Sequence, residues 1–312
     1  MSMLVVGSVA FDAIETPFGK TDKVIGGAAT YISLAASYFQ KPINLVSVVG
    51  GDFKAEDIAM LEAHGMNREG LQVKENEKSF FWAGKYHNDM NSRDTLDTQL
   101  NVLADFDPVI PASYQDCDYL MLGNLTPDIQ RTVLERLEKR PKLVVMDTMN
   151  FWMDIALESL KQTIAMVDVL TINDEEARQL TGEYSLVRAA AKIFEMGPKY
   201  LVIKKGEHGA LLFHSSADQV FSAPALPLEE VFDPTGAGDS FAGGFLGYLA
   251  STDDPSFENM KNAVIVGSAM ASFTVEKFGP ERLINLDRNE IAERIKAFRR
   301  LTQFTLELSP VQ

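Results

Sequence analysis

The sequence predicts an α/β fold: a doubly wound, mostly parallel sheet that carries a small β lid. Three observations predict it. Short apolar runs rich in Val, Ile and Leu alternate with longer amphipathic segments, an Asn/Asp-rich stretch interrupts that rhythm, and a glycine turn opens a helix of small residues in the last third of the chain. Unbroken apolar runs suit strands covered on both faces, and their alternation with helices is the pattern of a doubly wound sheet.

In chain order, strands are expected at residues 3–6, 43–49, 119–122, 143–146, 167–172 and 201–204. Helical patterns fall between them at 28–39, 55–64, 129–139, 152–165, 175–180 and 186–196, the last one stopped by Gly197-Pro198. The rhythm breaks at 71–102, where extended pieces (71–73 and 79–86) lead into a polar connection, and again at 11–25, around Pro17 and Gly19. Two insertions into one core account for both and would form the lid. The last third turns helical at 238–250, 257–275 and 289–298, with Ser256 placed as an N-cap. No repeat, low-complexity tract or long linker divides the chain, so residues 1–312 are expected to form a single domain.

A formal charge of −15 argues against binding to nucleic acid or anionic membranes, since both need a basic surface. The single Cys117 excludes an internal disulfide and a multi-cysteine metal site, which suits a reducing compartment. The first residues lack a basic-then-apolar leader, and no apolar run approaches ~18 residues, so a cytoplasmic protein is expected.

The string Asp233-Pro234-Thr235-Gly236-Ala237-Gly238-Asp239-Ser240-Phe241 carries the most chemical information. A Gly-Ala-Gly turn lets an anion approach the backbone, and the unpaired N–H groups of the following helix point at it. An acid in that first turn repels phosphate, and is better placed to take a proton from a group that attacks phosphate. Gly236, Ala237 and Gly238 are therefore the expected anion cradle and Asp239 the general base. The helix N-terminus is expected to depress the Asp239 pKa, making it a weak base. Phosphoryl transfer tolerates that, because its loose transition state needs little early proton abstraction.

That string resembles, position by position, the C-terminal signature of the ribokinase-like (PfkB) carbohydrate and nucleoside kinases. The resemblance covers essentially the whole chain. Gly7-Ser8-Val9-Ala10-Phe11-Asp12 looks like the family's first strand with its substrate-binding Asp, Gly26-Gly27 like its glycine pair, and Gly50-Gly51-Asp52 like its Gly-x-Asp turn. Asn173-Asp174-Glu175-Glu176 resembles the family's Asn-x-x-Glu element, implying that Asn173 and Glu176 organise Mg²⁺ on the ATP phosphates, Glu176 through water. Lys205, Gly206 and Gly209 match a turn near the nucleotide, and Ala269, on a helix of small residues, would wall the adenine pocket. Asp233 and Thr235, with the loop at Gly279, match positions that hold a monovalent cation such as K⁺ in several relatives.

The resemblance implies an ATP-dependent kinase with Mg²⁺ that phosphorylates a hydroxyl of a small molecule. The alternative it leaves open is a catalytically silent relative that binds sugar or nucleotide as a regulatory subunit. The acceptor is where the chain departs from the family. Tyr31 stands where sugar kinases carry a substrate-binding Asn, and Ala10 replaces another Asn, which argues against simple pentose recognition. Asp12, Gly26, Gly27 and Tyr31 are the expected acceptor-side residues, with Arg93 reaching in from the lid. Arg93 is the one clear cation in the polar lid run, so a neutral sugar, nucleoside or cyclitol is favoured over a sugar phosphate. Phe11, Phe81 and Trp82 are candidates for a nucleobase face or for the apolar side of the lid sheet. Exposed lid edges would also suit a homodimer joined through the lid.

Overall fold

Residues of the central strands are buried at almost every position, so helices must cover both faces of the sheet that they form. The computed structural model of the protein describes residues 1–216, 219–303 and 305. The chain runs through β1 (Met3–Val6), β2 (Ala10–Thr16), β3 (Gly19–Gly26), α1 (Ala28–Ala36), β4 (Ile43–Gly50), α2 (Ala55–Ala63), β5 (Met66–Lys74), β6 (Phe80–Tyr86) and β7 (Arg93–Gln99). It continues through β8 (Tyr119–Leu122), α3 (Pro127–Arg136), β9 (Leu143–Asp147), α4 (Asn150–Ile155), α5 (Leu157–Ile164), β10 (Val169–Asn173), α6 (Asp174–Thr181), α7 (Leu186–Phe194) and β11 (Tyr200–Lys204). The last elements are β12 (Ala210–His214), β13 (Val220–Ala223), α8 (Ala237–Thr252), α9 (Phe257–Thr274), α10 (Glu281–Ile284) and α11 (Arg288–Thr302).

Among the described residues these strands form two sheets. The large one has the order β13-β12-β11-β10-β9-β8-β1-β4-β5. It is parallel from β11 to β5, and β12 and β13 add an antiparallel edge. One core packs α1, α8 and α9 against one face of the sheet, and a second packs α3, α5, α6 and α7 against the other. The lid is the smaller sheet, β3-β2-β6-β7, in which β2 and β6 run parallel and the outer pairs antiparallel.

Three details depart from the sequence expectation. Residues 71–73 lie in β5, which pairs with β4 as an edge of the large sheet, so the second lid segment begins at Phe80. A half-exposed strand alternates in the same way at either place, and alternation alone could not separate them. Residues 93–99 form the lid strand β7, although all seven are exposed and leave no apolar pattern to read. The helix expected at 152–165 is two helices, because Ala156 leaves the helical region (φ −142°, ψ 32°). Ser256 caps α9 as expected, its side chain accepting from the Asn259 N–H. No helix among the described residues is long and apolar enough to cross a membrane.

The lid is tied down at both ends. At its base, Asp52 accepts from the Ser79 N–H at 2.7 Å and from its hydroxyl at 2.8 Å, while the Ser79 hydroxyl accepts from the Gly50 N–H. Toward α8, the Phe18 ring meets Phe232 edge-on at 5.6 Å, and the hydroxyls of Tyr86 and Thr235 are 3.2 Å apart. Beyond β6, the Asn91 side chain lies against Gly206.

Candidate active site

The parallel strands end on one side of the large sheet, and the side chains at those ends face the lid. Ligands of open α/β sheets bind at these carboxyl ends. Here they supply Asp147 from β9, Asn173 from β10 and Lys204 from β11, with Lys204 the register neighbour of Asn173.

Beside them, the N-terminus of α8 is built by Gly236. Its φ of 74° is left-handed, and a Cβ there would stand 2.4 Å from the Tyr31 ring, so only glycine fits. Ala237 begins the helix, and the amides of Gly238 and Asp239 find no backbone acceptor among the described residues. Those two donors stand in the turn where the sequence places the expected anion cradle. Asp233 clamps the turn, its carboxylate accepting from the N–H groups of Thr235 and Gly279, each at 2.8 Å.

Asp239 lies in the first turn of α8, but its pKa is not depressed. Burial pushes it up to about 6, Asp147 pushes in the same direction, and Lys204 and Arg93 oppose them. The expected dipole effect is outweighed because the carboxyl gives up water and shares its site with other acids. Across the cleft, Asp12 on β2 is pushed up to about 7 by burial and then by Asp233, against the Gly27 N–H, with Asp239 adding to the rise. A Cβ on Gly26 would sit 1.9 Å from the Asp12 Oδ2, which explains glycine there. Gly27 opens α1, whose first amides are held by Ser8, through its hydroxyl to Ala28 and its carbonyl to Ala29.

Tyr31 does not present a free face to an acceptor. It is 1% exposed with its ring against Gly236, and its hydroxyl has no partner among the described residues. Trp82 is better placed, because it is the register neighbour of Asp12 across the β2–β6 pair and is only half-buried. Neighbours across a ladder project to the same face. Phe11, one residue before Asp12 and so on the other face of β2, instead packs on Phe53 at 5.3 Å and belongs to the core. Arg93 opens β7 with its guanidinium 5.8 Å from the Trp82 ring. Its charge reaches both Asp239 and Glu176.

Asn173 and Glu176 cap α6 reciprocally. The Glu176 carboxylate accepts from the Asn173 N–H at 2.7 Å, and the Asn173 side chain accepts from the Glu176 N–H at 2.8 Å. Burial pushes Glu176 up to about 7, against the charge of Lys204. No cluster of three or more metal-ligating His, Cys, Asp or Glu exists among the described residues. This donor set fits a Mg²⁺ carried on ATP phosphates and water, and does not fit a resident metal held by a protein cage.

One expectation on the nucleotide side needs correction. Ala269 is 0% exposed, packed within the α8–α9 layer, and has no surface to offer an adenine; the partly exposed residues of that stretch are Ile265, Ser268 and Ala271. Lys205 is half-buried and closes the turn of Gly206 and Gly209 through its backbone, its N–H bonded to the Gly209 carbonyl at 2.7 Å. The lysine that enters the site is its neighbour Lys204, whose ammonium is 2.8 Å from Asp147. Sequence reading missed Asp147, Lys204 and Tyr86. The first two had a signal: each is the polar residue that ends an apolar strand of the parallel sheet.

The pfkB family carbohydrate kinase profile matches residues 2–285. A cytidine kinase from Thermococcus kodakarensis is 30% identical over 252 residues, covering 79% of this chain and 87% of that protein. Among solved structures, a nucleoside kinase from Burkholderia thailandensis in complex with ADP-inosine superposes with a TM-score of 0.75 at 19% identity, covering 100% of both chains. A putative ribokinase II from E. coli in complex with ATP and Mg²⁺ gives 0.76 at 18% identity, covering 96% of this chain and 99% of the other.

Proposed function

Because the chain belongs to the pfkB family of carbohydrate and nucleoside kinases, we propose that it transfers the γ-phosphate of ATP to a hydroxyl of a small neutral acceptor, a nucleoside foremost. The observation that carries the reading is the placement of the half-buried Asp239 at the α8 N-terminus across the cleft from the buried Asp12 on the lid, close enough that the charge of Asp239 adds to the rise of the Asp12 pKa. The acceptor hydroxyls bridge that gap. Asp12 orients one by hydrogen bonding, and Asp239 takes the proton of the attacking hydroxyl as the new O–P bond forms.

The β–γ bridging bond then breaks, and ADP leaves with its electrons. The amides of Gly238 and Asp239 meet the transferring group, adding fixed dipoles where charge is shared among its oxygens. Lys205, Gly206 and Gly209 form the turn on the nucleotide side, and Asn173 and Glu176 face the metal-bearing phosphates. Mg²⁺, when bound with ATP, neutralises phosphate charge and orders the β- and γ-groups. The lid excludes water, so that ATP is not hydrolysed instead.

Two points favour a nucleoside over a cyclitol or a free sugar. Trp82 shares the face of Asp12 and offers a half-exposed ring on which a base stacks. The relatives named above include a cytidine kinase and a nucleoside kinase seen with inosine. K⁺ forms no part of the proposal; Asp233 enters it as the clamp of the turn, each oxygen accepting one backbone N–H. A homodimer through the lid stays in it, since β3 and β7 are outer strands of the lid sheet, and light scattering tests that point.

A coupled ADP-release screen over nucleosides, cyclitols, pentoses, hexoses and their phosphates tests the function. Turnover is expected on cytidine or another nucleoside. Turnover confined to phosphorylated sugars refutes the neutral-acceptor reading, and turnover on inositol with none on nucleosides moves the acceptor to a cyclitol.

A further inference from the structure

Lys204 is the buried group that this mechanism leaves unused. Its side chain is 15% exposed, and its ammonium makes one hydrogen bond among the described residues, to Asp147 Oδ2 at 2.8 Å. An ammonium carries three donors, so two meet no acceptor among the described residues. A buried pair with a purely structural role is expected to satisfy both partners, because each unmet donor costs free energy. The position of the ammonium explains what those donors serve: it lies 3.1 Å from where a Cβ on Gly238 would stand. It is therefore over the same helix turn whose free amides make the anion cradle.

We propose that Lys204 is a catalytic residue of phosphoryl transfer, its two free donors contacting the γ-phosphoryl group while Asp147 holds the ammonium in place. This deepens the reading above and rests on it. In the step, the acceptor oxygen forms its bond to phosphorus, the bridging oxygen leaves with the electrons of the β–γ bond, and the acceptor proton goes to Asp239. Lys204 keeps its proton throughout. Burial acts against its charge, but Asp147, Glu176 and Asp239 outweigh burial and hold its pKa above the ordinary lysine value. A permanent cation at that point answers a difficulty of this chain. With a formal charge of −15 and several carboxylates around the cleft, it must supply positive charge locally to draw in a polyphosphate.

Asp147 is a positioning residue. Its Oδ2 accepts from Lys204, and its Oδ1 accepts from the Thr148 N–H at 3.0 Å, which fixes the carboxylate at the end of β9. Lys204→Met alone leaves Asp147 buried without its partner, and that variant is expected to lose stability. The decisive variant is Lys204→Met combined with Asp147→Asn, which removes both charges together.

Binding of ADP with tetrafluoroaluminate, a mimic of the transferring group, is measured by calorimetry beside ADP alone, thermal melting and turnover. In Lys204→Met and in the double variant, affinity for the ADP–fluoroaluminate pair and kcat are expected to fall by about 100-fold or more, with ADP alone within about threefold. The double variant is expected to melt within a few degrees of the wild type. Lys204→Arg, which keeps the charge, is expected to recover part of both losses. A double variant with wild-type kcat, or one that binds the fluoroaluminate pair as the wild type does, overturns the assignment and leaves the pair structural. A wild type that fails to bind the pair more tightly than ADP overturns the phosphoryl-transfer reading itself, so the two failures are distinguishable.

Discussion

Replacing Asp239 by Asn is expected to remove transfer and to stabilise the fold, and the second effect can be worked from the structure. The carboxyl ordinarily titrates near 3.8 and is held at about 6 in the folded protein. The folded state therefore binds the proton more tightly than the unfolded chain does, and stability falls as pH rises between those two values. Above pH 6 the cost is on the order of 3 kcal/mol, at about 1.4 kcal/mol for each pKa unit. Asparagine is nearly isosteric and carries no charge, so Asp239→Asn avoids that cost. Thermal melting should show the variant several degrees above the wild type at pH 8, with roughly half of the gain left at pH 5. Turnover at pH 8 should fall by about 100-fold or more while ADP affinity holds. A variant that melts lower than the wild type at pH 8 refutes the argument from burial. One that keeps turnover within tenfold of the wild type refutes the base.

Gly26→Ala should displace the Asp12 carboxylate, since a Cβ would stand 1.9 Å from it; KM for the acceptor is expected to rise by about 100-fold with the ADP dissociation constant unchanged, and an unchanged KM would remove Asp12 from acceptor binding. Trp82→Ala should raise KM for a nucleoside by about tenfold or more, as expected for loss of a base–aromatic stack, without altering any residual turnover of free sugars; equal effects on both would make Trp82 a lid-packing residue. The acceptor kcat/KM should rise with pH through the region from about 6 to 7, where Asp239 and Asp12 titrate, because both act as carboxylates; a profile flat from pH 5 to 8 contradicts those raised values. Asp52→Ala removes the acceptor of both Ser79 donors at the base of the lid, and should raise the ratio of ATP hydrolysis to transfer; an unchanged ratio argues that Ser79 is held without it.

What could be read from the chain followed the strength of local signals. Strands β1 and β8 end where their apolar runs end, because residues covered on both faces leave no choice of composition. The turn at Gly236 was legible because a left-handed residue at a helix start admits almost only glycine. Strand β7 was hidden because all seven of its residues face solvent, and its place comes from pairing with β6. The break at Ala156 was hidden for a related reason, since the apolar spacing runs through it. Ala269 was misplaced because a small residue suits a helix contact and a flat ligand equally well, and only burial tells them apart.

The charge of the site shows the limit most clearly. A helix N-terminus taken alone predicts a strongly acidic Asp239, and that inference fails because it is local. Asp147 comes from β9, Lys204 from β11 and Arg93 from the lid, and their separation in the chain is far larger than any window of sequence reading. Their sum reverses the sign: burial and Asp147 raise Asp239 by more than Lys204, Arg93 and the backbone lower it. The consequence is a carboxyl poised near neutrality, which suits the general base proposed for it better than a strongly acidic one would. The same neighbours also bear on the choice between lysines. Lys204 and Lys205 are adjacent in the chain and indistinguishable by type, but successive residues leaving a strand point to opposite sides. One ammonium is thereby delivered to Asp147 and the α8 turn, while its neighbour contributes its backbone to the turn beyond.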